Sequence, residues 1–362
     1  MKQCILLLSA ANSVHTVRWA NAFVERGRTV HLVTQHAPIQ GLSPSVHVWR
    51  LPHRNGLGYL LNGGRLGRLI ARIRPDVVNA HYATGYGTLA RSVGRVPLVL
   101  NVWGSDVFDF PAMSWAHRAL VQRNLRRADA VVSTSEVMAR RTREICTGLR
   151  SLTVIPFGVE TDRFSPRVSP VDTSREVVIG TVKTLASKYG IDTLIEAFAR
   201  TLAATPANIT LRLRLVGGGG ERLRLEAMVQ GLGIKDQVEF VGAVDHARVP
   251  DELRKLDIYA ALSREDSESF GVAVIEASAC ALPVVVTNAG GLPEVVQAGH
   301  TGFVVPKEDP VSAADRLLEL VNDAALRHRL GAEGRLFVQQ RYEWSGCVDR
   351  MLALIDGTTL AD

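Results

Sequence analysis

The sequence predicts an α/β protein made of two doubly wound, parallel-sheet domains. Short apolar runs rich in Val, Ile and Leu alternate with amphipathic stretches of helical period along the whole chain. The alternation begins twice, at Ile5 and again near Glu176. At 362 residues the chain also exceeds one typical domain, so two are expected.

Composition narrows the class. Hydrophobic residues make up 46% and charged residues 22%, as in soluble globular proteins. The four cysteines, Cys4, Cys146, Cys280 and Cys347, lack metal-ligand or redox spacing and read as buried free thiols in a reducing compartment. Met1–Ala11 has too short an apolar core for a signal peptide and reads as a first buried strand. No apolar run approaches the ~20 residues that span a bilayer. The charge is asymmetric. Through Arg167 there are 22 Lys and Arg against 9 Asp and Glu, and beyond it the remaining 20 face 27. The basic half would suit nucleic acid, an anionic membrane surface or a lipid-phosphate acceptor.

The first half opens with a strand at Ile5–Leu8, a loop at Ser9–Val14, a helix over His15–Arg26 and Gly27 as its C-cap. Val17, Ala20, Phe23 and Val24 form one helical stripe, and a strand at Thr29–Thr34 completes a βαβ start. The loop lacks G-x-G-x-x-G, which counts against a dinucleotide-dependent oxidoreductase. Asn12 lies in it, and His15 and Arg18 begin the next helix as ligand candidates; for His15 a ligand role and a plain helix-start position stand level. A strand at Val46–Leu51 precedes an expected helix over His53–Arg74. There Leu60, Leu61, Leu66, Leu69, Ile70 and Ile73 alternate with Arg65, Arg68, Arg72 and Arg74. The apolar face is expected to pack on the sheet, with the arginines solvated or touching a membrane. Trp115–Arg127, with Arg118, Arg123, Arg126 and Arg127, has the same two readings. Strands at Asp76–His81 and Pro97–Val102 end in His81 and in Trp103-Gly104-Ser105-Asp106. Those are carboxyl ends, where open α/β sheets bind ligands. For Asp106 an N-cap role remains open. Ala130–Ser135 and Leu152–Ile155 close this sheet, and Pro166 and Pro170 mark a linker.

The second half repeats the plan. A strand at Glu176–Thr181 leads through Lys183 and Lys188 into a helix bearing Leu194, Ile195, Phe198 and Leu202. Leu211–Val216 alternates as a strand and enters Gly217-Gly218-Gly219-Gly220. Val238–Gly242 follows, with Ala243-Val244-Asp245-His246 after it. Ile258–Leu262 then runs into the polar loop Ser263–Ser269, Phe270-Gly271 and a helix over Val272–Ala281. A strand at Val284–Thr287 meets a second polar turn, Asn288–Gly291. Two adjacent strand-to-helix junctions would present two helix N-termini, which favour a phosphate. Glu268 and Glu276 bracket the first junction, and carboxylates beside a phosphate are useful if they bind ligand hydroxyls. A sugar nucleotide offers both. The alternative is another phosphate ligand on the same kind of sheet.

Glu268-x7-Glu276 with Ser269-Phe270-Gly271, Gly290–Glu294 and Gly299–Pro306 resembles the donor-site signature of retaining glycosyltransferases of family 4, with the GT-B fold. The resemblance covers nearly the whole chain and is strongest in the second half. It implies two Rossmann-like domains facing each other across a cleft: 1–165 for the acceptor, 166–340 for the nucleotide-sugar, and 341–362 as a helix returning to the first domain. The tail Arg341–Ser345, followed by Val348, Leu352 and Ile355, matches the family's last helix, and Pro156–Phe164 its interdomain hinge. Glu276 is then expected on the ribose hydroxyls, and Glu268 with the backbone of Ser269, Phe270 and Gly271 on sugar and phosphate. Lys183, in place of the family's Arg, and Lys188 are expected on the leaving diphosphate. Gly217 resembles the glycine turn near the nucleotide, and Val244 the segment that seats the base.

The chain departs from the family in two places. Ala10-Ala11-Asn12-Ser13 replaces a glycine-rich loop, and Trp103 replaces the histidine of a His-Gly-x-Asp motif, leaving His81 as a substitute imidazole. Asp106 matches that motif's acid, for an acceptor hydroxyl. The implied activity is metal-independent hexosyl transfer from a UDP- or GDP-sugar to a saccharide, lipid-linked acceptor, in cell-surface polysaccharide, lipopolysaccharide or glycolipid synthesis. No cofactor, metal or nucleic-acid partner is expected. The expected location is cytoplasmic, peripheral at the inner face of the membrane. Rivals are a nucleotide-sugar epimerase or a glycogen-phosphorylase-like enzyme on the same fold, and a non-catalytic sugar- or nucleic-acid-binding protein. Aromatics for base stacking are scarce, at 6%.

Overall fold

The computed structural model describes residues 3–167 and 176–359; the Pro170 linker position lies outside them. The chain forms two compact units, Met1–Phe157 with Ser345–Asp362, and Gly158–Trp344.

The first unit contains β1 (Cys4–Leu8), α1 (Val14–Glu25), β2 (Thr29–Thr34), β3 (His47–Arg50), α2 (Asn55–Leu61), α3 (Gly63–Ile73) and β4 (Val77–His81). It continues with α4 (Gly85–Ala90), β5 (Leu98–Asn101), α5 (Trp115–Arg127), β6 (Ala130–Ser133), α6 (Glu136–Ile145) and β7 (Leu152–Val154). The sheet order is β3-β2-β1-β4-β5-β6-β7 with every pair parallel, so the order reverses between β1 and β4. Strands β1, β4, β5 and β6 are near-continuous apolar runs because helices cover both faces. Helix α1 ends as expected at Gly27, whose φ of 79° suits the left-handed position after the Arg26 cap.

The second unit contains β8 (Glu176–Val182), α7 (Ile191–Ala204), β9 (Thr210–Val216), α8 (Arg222–Gly231), β10 (Val238–Gly242), α9 (Val249–Leu253) and β11 (Ile258–Ala261). After these come α10 (Val272–Ala279), β12 (Val284–Thr287), β13 (Gly302–Val305), α11 (Pro310–Asn322) and α12 (Ala324–Tyr342). Its parallel sheet has the order β10-β9-β8-β11-β12-β13, reversing between β8 and β11. The last helix, α13 (Trp344–Thr359), packs on the first unit through buried Val348, Met351, Leu352 and Ile355. Arg26–Asp349 at 3.2 Å and Arg28–Asp356 at 2.8 Å pin it there.

Three expectations are corrected. The single helix over His53–Arg74 is two helices. The buried Asn62 at the break donates to the His53 carbonyl at 2.8 Å and accepts from its N–H, so its side chain ties down the incoming loop. Leu66 and Leu69 of α3 pack inward as expected, but Leu57, Leu60 and Leu61 of α2 are 72%, 64% and 60% exposed. The inward face of α2 is Gly58 and Tyr59: a Cβ at Gly58 would meet the His53 carbonyl at 2.6 Å, and Tyr59 packs edge-on to Tyr86. Helix α10 stops at Ala279. Ala281, at φ 58°, closes it with the bonds Leu282 N–H to Ala277 O and Ala281 N–H to Ser278 O, which turn the chain into β12. The second junction carries a single 3-10 turn, Leu292–Val295, and not an α-helix.

Candidate active site

In a doubly wound sheet, the loops leaving the two strands at the reversal diverge and open a crevice at the carboxyl edge. In the second unit those strands are β8 and β11. Lys183 directly follows β8, and the Ser263–Ser269 loop follows β11. Lys183 Nζ lies 2.8 Å from Glu268 Oε2, both side chains largely buried. Burial alone would pull the Lys183 ammonium down, but the facing carboxylate of Glu268, with Tyr259 and Tyr189, outweighs it and leaves the pKa raised. Lys183 therefore stays charged. Tyr189 carries both lysines, with Lys183 Nζ 4.5 Å and Lys188 Nζ 4.9 Å from its ring centroid.

Backbone contacts hold these groups in register. Gly190, at φ 60°, lies so close to the Leu262 carbonyl that a Cβ would sit 1.9 Å from it. The Arg264 N–H donates to the Lys188 carbonyl at 2.9 Å. The turn bearing Lys188 is thereby fastened to the loop bearing Glu268. Gly217 packs on the Lys183 carbonyl with equal closeness, 1.9 Å to a Cβ, while Lys183 N–H bonds Val216 O at 2.9 Å. Gly217 thus positions Lys183 by close backbone approach. Gly290 and Gly291 press on the Glu268 and Ser269 carbonyls, and the Gly291 N–H donates to Glu268 O at 2.9 Å.

Ser269 and Phe270 are buried, and the Phe270 ring packs edge-on to Tyr342, leaving only its backbone for a ligand. Gly271, at φ 98°, is the residue before α10, whose N-terminus opens at this edge. Glu276 lies on that helix with its side chain 7% exposed, and its Oε1 is 3.0 Å from His246 Nε2. Val244, two residues earlier on the same loop, is half-buried. The set joins two ammonium groups, two carboxylates and a helix N-terminus, which suits a ligand carrying both phosphates and hydroxyls.

The first unit has its own reversal between β1 and β4, and the expected acceptor-side residues gather there. Ser9 follows β1 and His81 ends β4; Ser9 Oγ lies 2.9 Å from His81 Nδ1 and 2.7 Å from Thr16 Oγ1. His81 is 1% exposed and its ring packs 4.3 Å from that of Trp103. Burial, helped by the neighbouring His15, pulls its pKa down to about 3. The imidazole is therefore neutral at ordinary pH and brings no positive charge to a diphosphate. His15 stacks on Phe157 at 4.2 Å and meets Trp103 edge-on at 5.9 Å. Arg18 is half-buried on the same helix, and Asn12 is exposed in the loop before it.

Asp106 is fully buried and caps no helix. Its carboxylate accepts from the backbone N–H groups of Ala83 at 2.7 Å, Trp103 at 3.1 Å and Gly104 at 2.9 Å. Burial raises its pKa, against those donors. It ties together the loops that follow β4 and β5. Sequence reasoning gave no role to Tyr189 or to the His246 side chain. The Lys-x4-Lys-Tyr spacing was the available signal for Tyr189; nothing in the sequence pairs His246 with Glu276.

Residues 164–337 match the family model described as Glycosyl transferases group 1, and residues 4–135 match Glycosyl transferase 4-like. The N-acetyl-alpha-D-glucosaminyl L-malate synthase of Bacillus anthracis is 25% identical over 341 residues, 88% of this chain and 86% of its own. The GDP-mannose-dependent alpha-(1-6)-phosphatidylinositol monomannoside mannosyltransferase of Mycolicibacterium smegmatis is 29% identical, over 75% of this chain and 73% of its own. The solved structure of HepE from Anabaena in complex with UDP-glucose shares the fold, with a TM-score of 0.81 at 20% identity over 98% and 99% of the two chains. With a 4-like domain, a group 1 domain and two doubly wound sheets, the chain belongs to the family 4 type glycosyltransferases of GT-B fold.

Proposed function

We propose that the protein is a retaining hexosyltransferase that uses a UDP- or GDP-sugar and transfers the sugar to a saccharide on a membrane lipid. The product would enter cell-surface polysaccharide, lipopolysaccharide or glycolipid synthesis. The observation that carries this reading is the buried grouping of Lys183, Glu268 and Glu276, with Lys188 beside it, at the sheet reversal of the second unit. Glu276 binds the ribose hydroxyls. Glu268 and the backbone of Ser269–Gly271 hold the hexose and the phosphate. Lys183 and Lys188 take the negative charge that builds on the diphosphate as the C1–O bond breaks. The acceptor hydroxyl bonds to C1 from the face the diphosphate leaves, and its proton passes to the departing phosphate oxygen. That route requires no protein nucleophile and no divalent ion. Glu268 is engaged with Lys183, which supports a holding role for it.

Both donor nucleotides stay in the proposal because one relative's name specifies GDP-mannose and one structural neighbour holds UDP-glucose. A lipid-borne acceptor is supported by that relative's phosphatidylinositol-based acceptor and by the first unit's basic surface. Leu57, Leu60 and Leu61 are exposed on α2, and Arg65, Arg68 and Arg72 are exposed on α3, the next helix in the chain. Among the described residues no helix is long and apolar enough to cross a membrane, so contact would be peripheral.

The test is thermal stabilisation of wild type and Glu276→Ala by UDP, GDP, ADP and their sugar conjugates. A ligand of the native state raises stability by RT ln(1 + [L]/Kd), so affinity is read without knowing the acceptor. One nucleotide class should stabilise the wild type and act less on the variant. No stabilisation by any of them would remove the donor-site assignment.

A further inference from the structure

The Glu276 carboxylate does not stand alone. His246, in the 3-10 turn His246–Arg248 after β10, places Nε2 3.0 Å from Glu276 Oε1. Its other nitrogen, Nδ1, faces the guanidinium of Arg163 at 3.5 Å, and the same Arg163 nitrogen donates to the His246 carbonyl at 2.6 Å. Phe164 covers the ring at 5.9 Å. A guanidinium only donates and an ionised carboxylate only accepts. The two neighbours therefore select one tautomer, with the proton on Nε2 directed at Oε1 and the lone pair of Nδ1 toward Arg163. Arg163 is itself anchored, since its carbonyl accepts from Arg254 at 2.8 Å. Three side chains from separate segments thus form a relay ending on Glu276.

We propose that His246 is a positioning residue for nucleotide recognition: by donating to Oε1 it fixes the Glu276 carboxylate so that Oε2 meets the ribose hydroxyls. This rests on the donor-site reading of Glu276. A carboxylate on a long side chain reaches several rotamers, and holding one oxygen removes that freedom before the ligand arrives. His246 then acts on discrimination between ribose and deoxyribose, and leaves the bond-breaking step alone.

Affinities of UDP, 2′-deoxy-UDP, GDP and 2′-deoxy-GDP are measured by calorimetry on wild type, Glu276→Ala, His246→Ala and His246→Gln, with melting curves to show that each is folded. Wild type is expected to prefer the ribo form of its nucleotide, and Glu276→Ala to lose that preference. His246→Ala should reduce it about tenfold by weakening the ribo form only, raising donor KM with kcat unchanged. His246→Gln, whose amide N–H reaches where Nε2 does, should restore it. Equal weakening of ribo and deoxy forms in His246→Ala, or an unchanged ratio, overturns the proposal. If Glu276→Ala keeps the full ribo preference, or wild type binds none of the four, the donor-site reading itself fails.

Discussion

His81 makes the first unit sensitive to acid in a calculable way. Its imidazole is buried against Trp103 and bonded to Ser9, with a pKa of about 3 against 6.5 when free. Because the folded value is the lower one, the unfolded chain takes up the proton first. Stability is then full above about pH 6.5 and falls as pH drops toward 3. Moving from pH 7.5 to 5 should cost about 2 kcal/mol from this group alone. For a unit of this size that is a fall in Tm of roughly 4–8 °C. Carboxylates whose pKa values are depressed also lose stability in acid, so the informative quantity is the difference between wild type and His81→Asn. Asn keeps a polar atom near Ser9 and carries no titrating group. Unfolding followed by tryptophan fluorescence suits the first unit, because Trp19, Trp49, Trp103 and Trp115 lie in it and only Trp344 lies outside. The variant should be less stable at pH 7.5 but lose less on acidification. Parallel pH profiles for the two proteins would refute a buried neutral His81.

Lys183→Ala should lower kcat by on the order of 10²–10³, because it removes charge stabilisation from the leaving diphosphate. It also strands Glu268 without its partner, so Lys183→Arg, which keeps the charge, should recover much of the loss. Turnover should survive EDTA; activity abolished by the chelator and restored by manganese would contradict the metal-independent route. Wild type should bind anionic vesicles at low salt and release them steeply as ionic strength rises, and Leu57→Ser/Leu60→Ser/Leu61→Ser should weaken that binding without changing nucleotide affinity. No vesicle binding at low salt would remove the membrane from the proposal.

Much of the architecture was legible in the chain because parallel strands covered on both faces must be continuous apolar runs, and their helices must carry one apolar stripe. Trp115–Arg127 was bounded correctly from that rule alone. The glutamate spacing, Gly217 and the Gly290-Gly291 turn were equally readable, and close backbone approach explains why glycine stands at those positions. Helix termini were less so: Asn62 divides α2 from α3 through a bond to His53, and sequence periodicity does not register such a bond. The outward turn of Leu57, Leu60 and Leu61 likewise depended on Gly58 and Tyr59 filling the inner face.

Polar partnerships were decided by tertiary structure alone. Lys183 meets Glu268 and His246 meets Glu276 across sequence separations that no local pattern encodes, and Asp106, which bonds its near neighbours Trp103 and Gly104, also reaches the Ala83 N–H of another loop. Residue type and spacing determined which chemistry the chain carries. At the two sheet reversals, strands far apart in sequence lie side by side, which is why Lys183 after β8 reaches Glu268 after β11 and Ser9 after β1 reaches His81 at the end of β4.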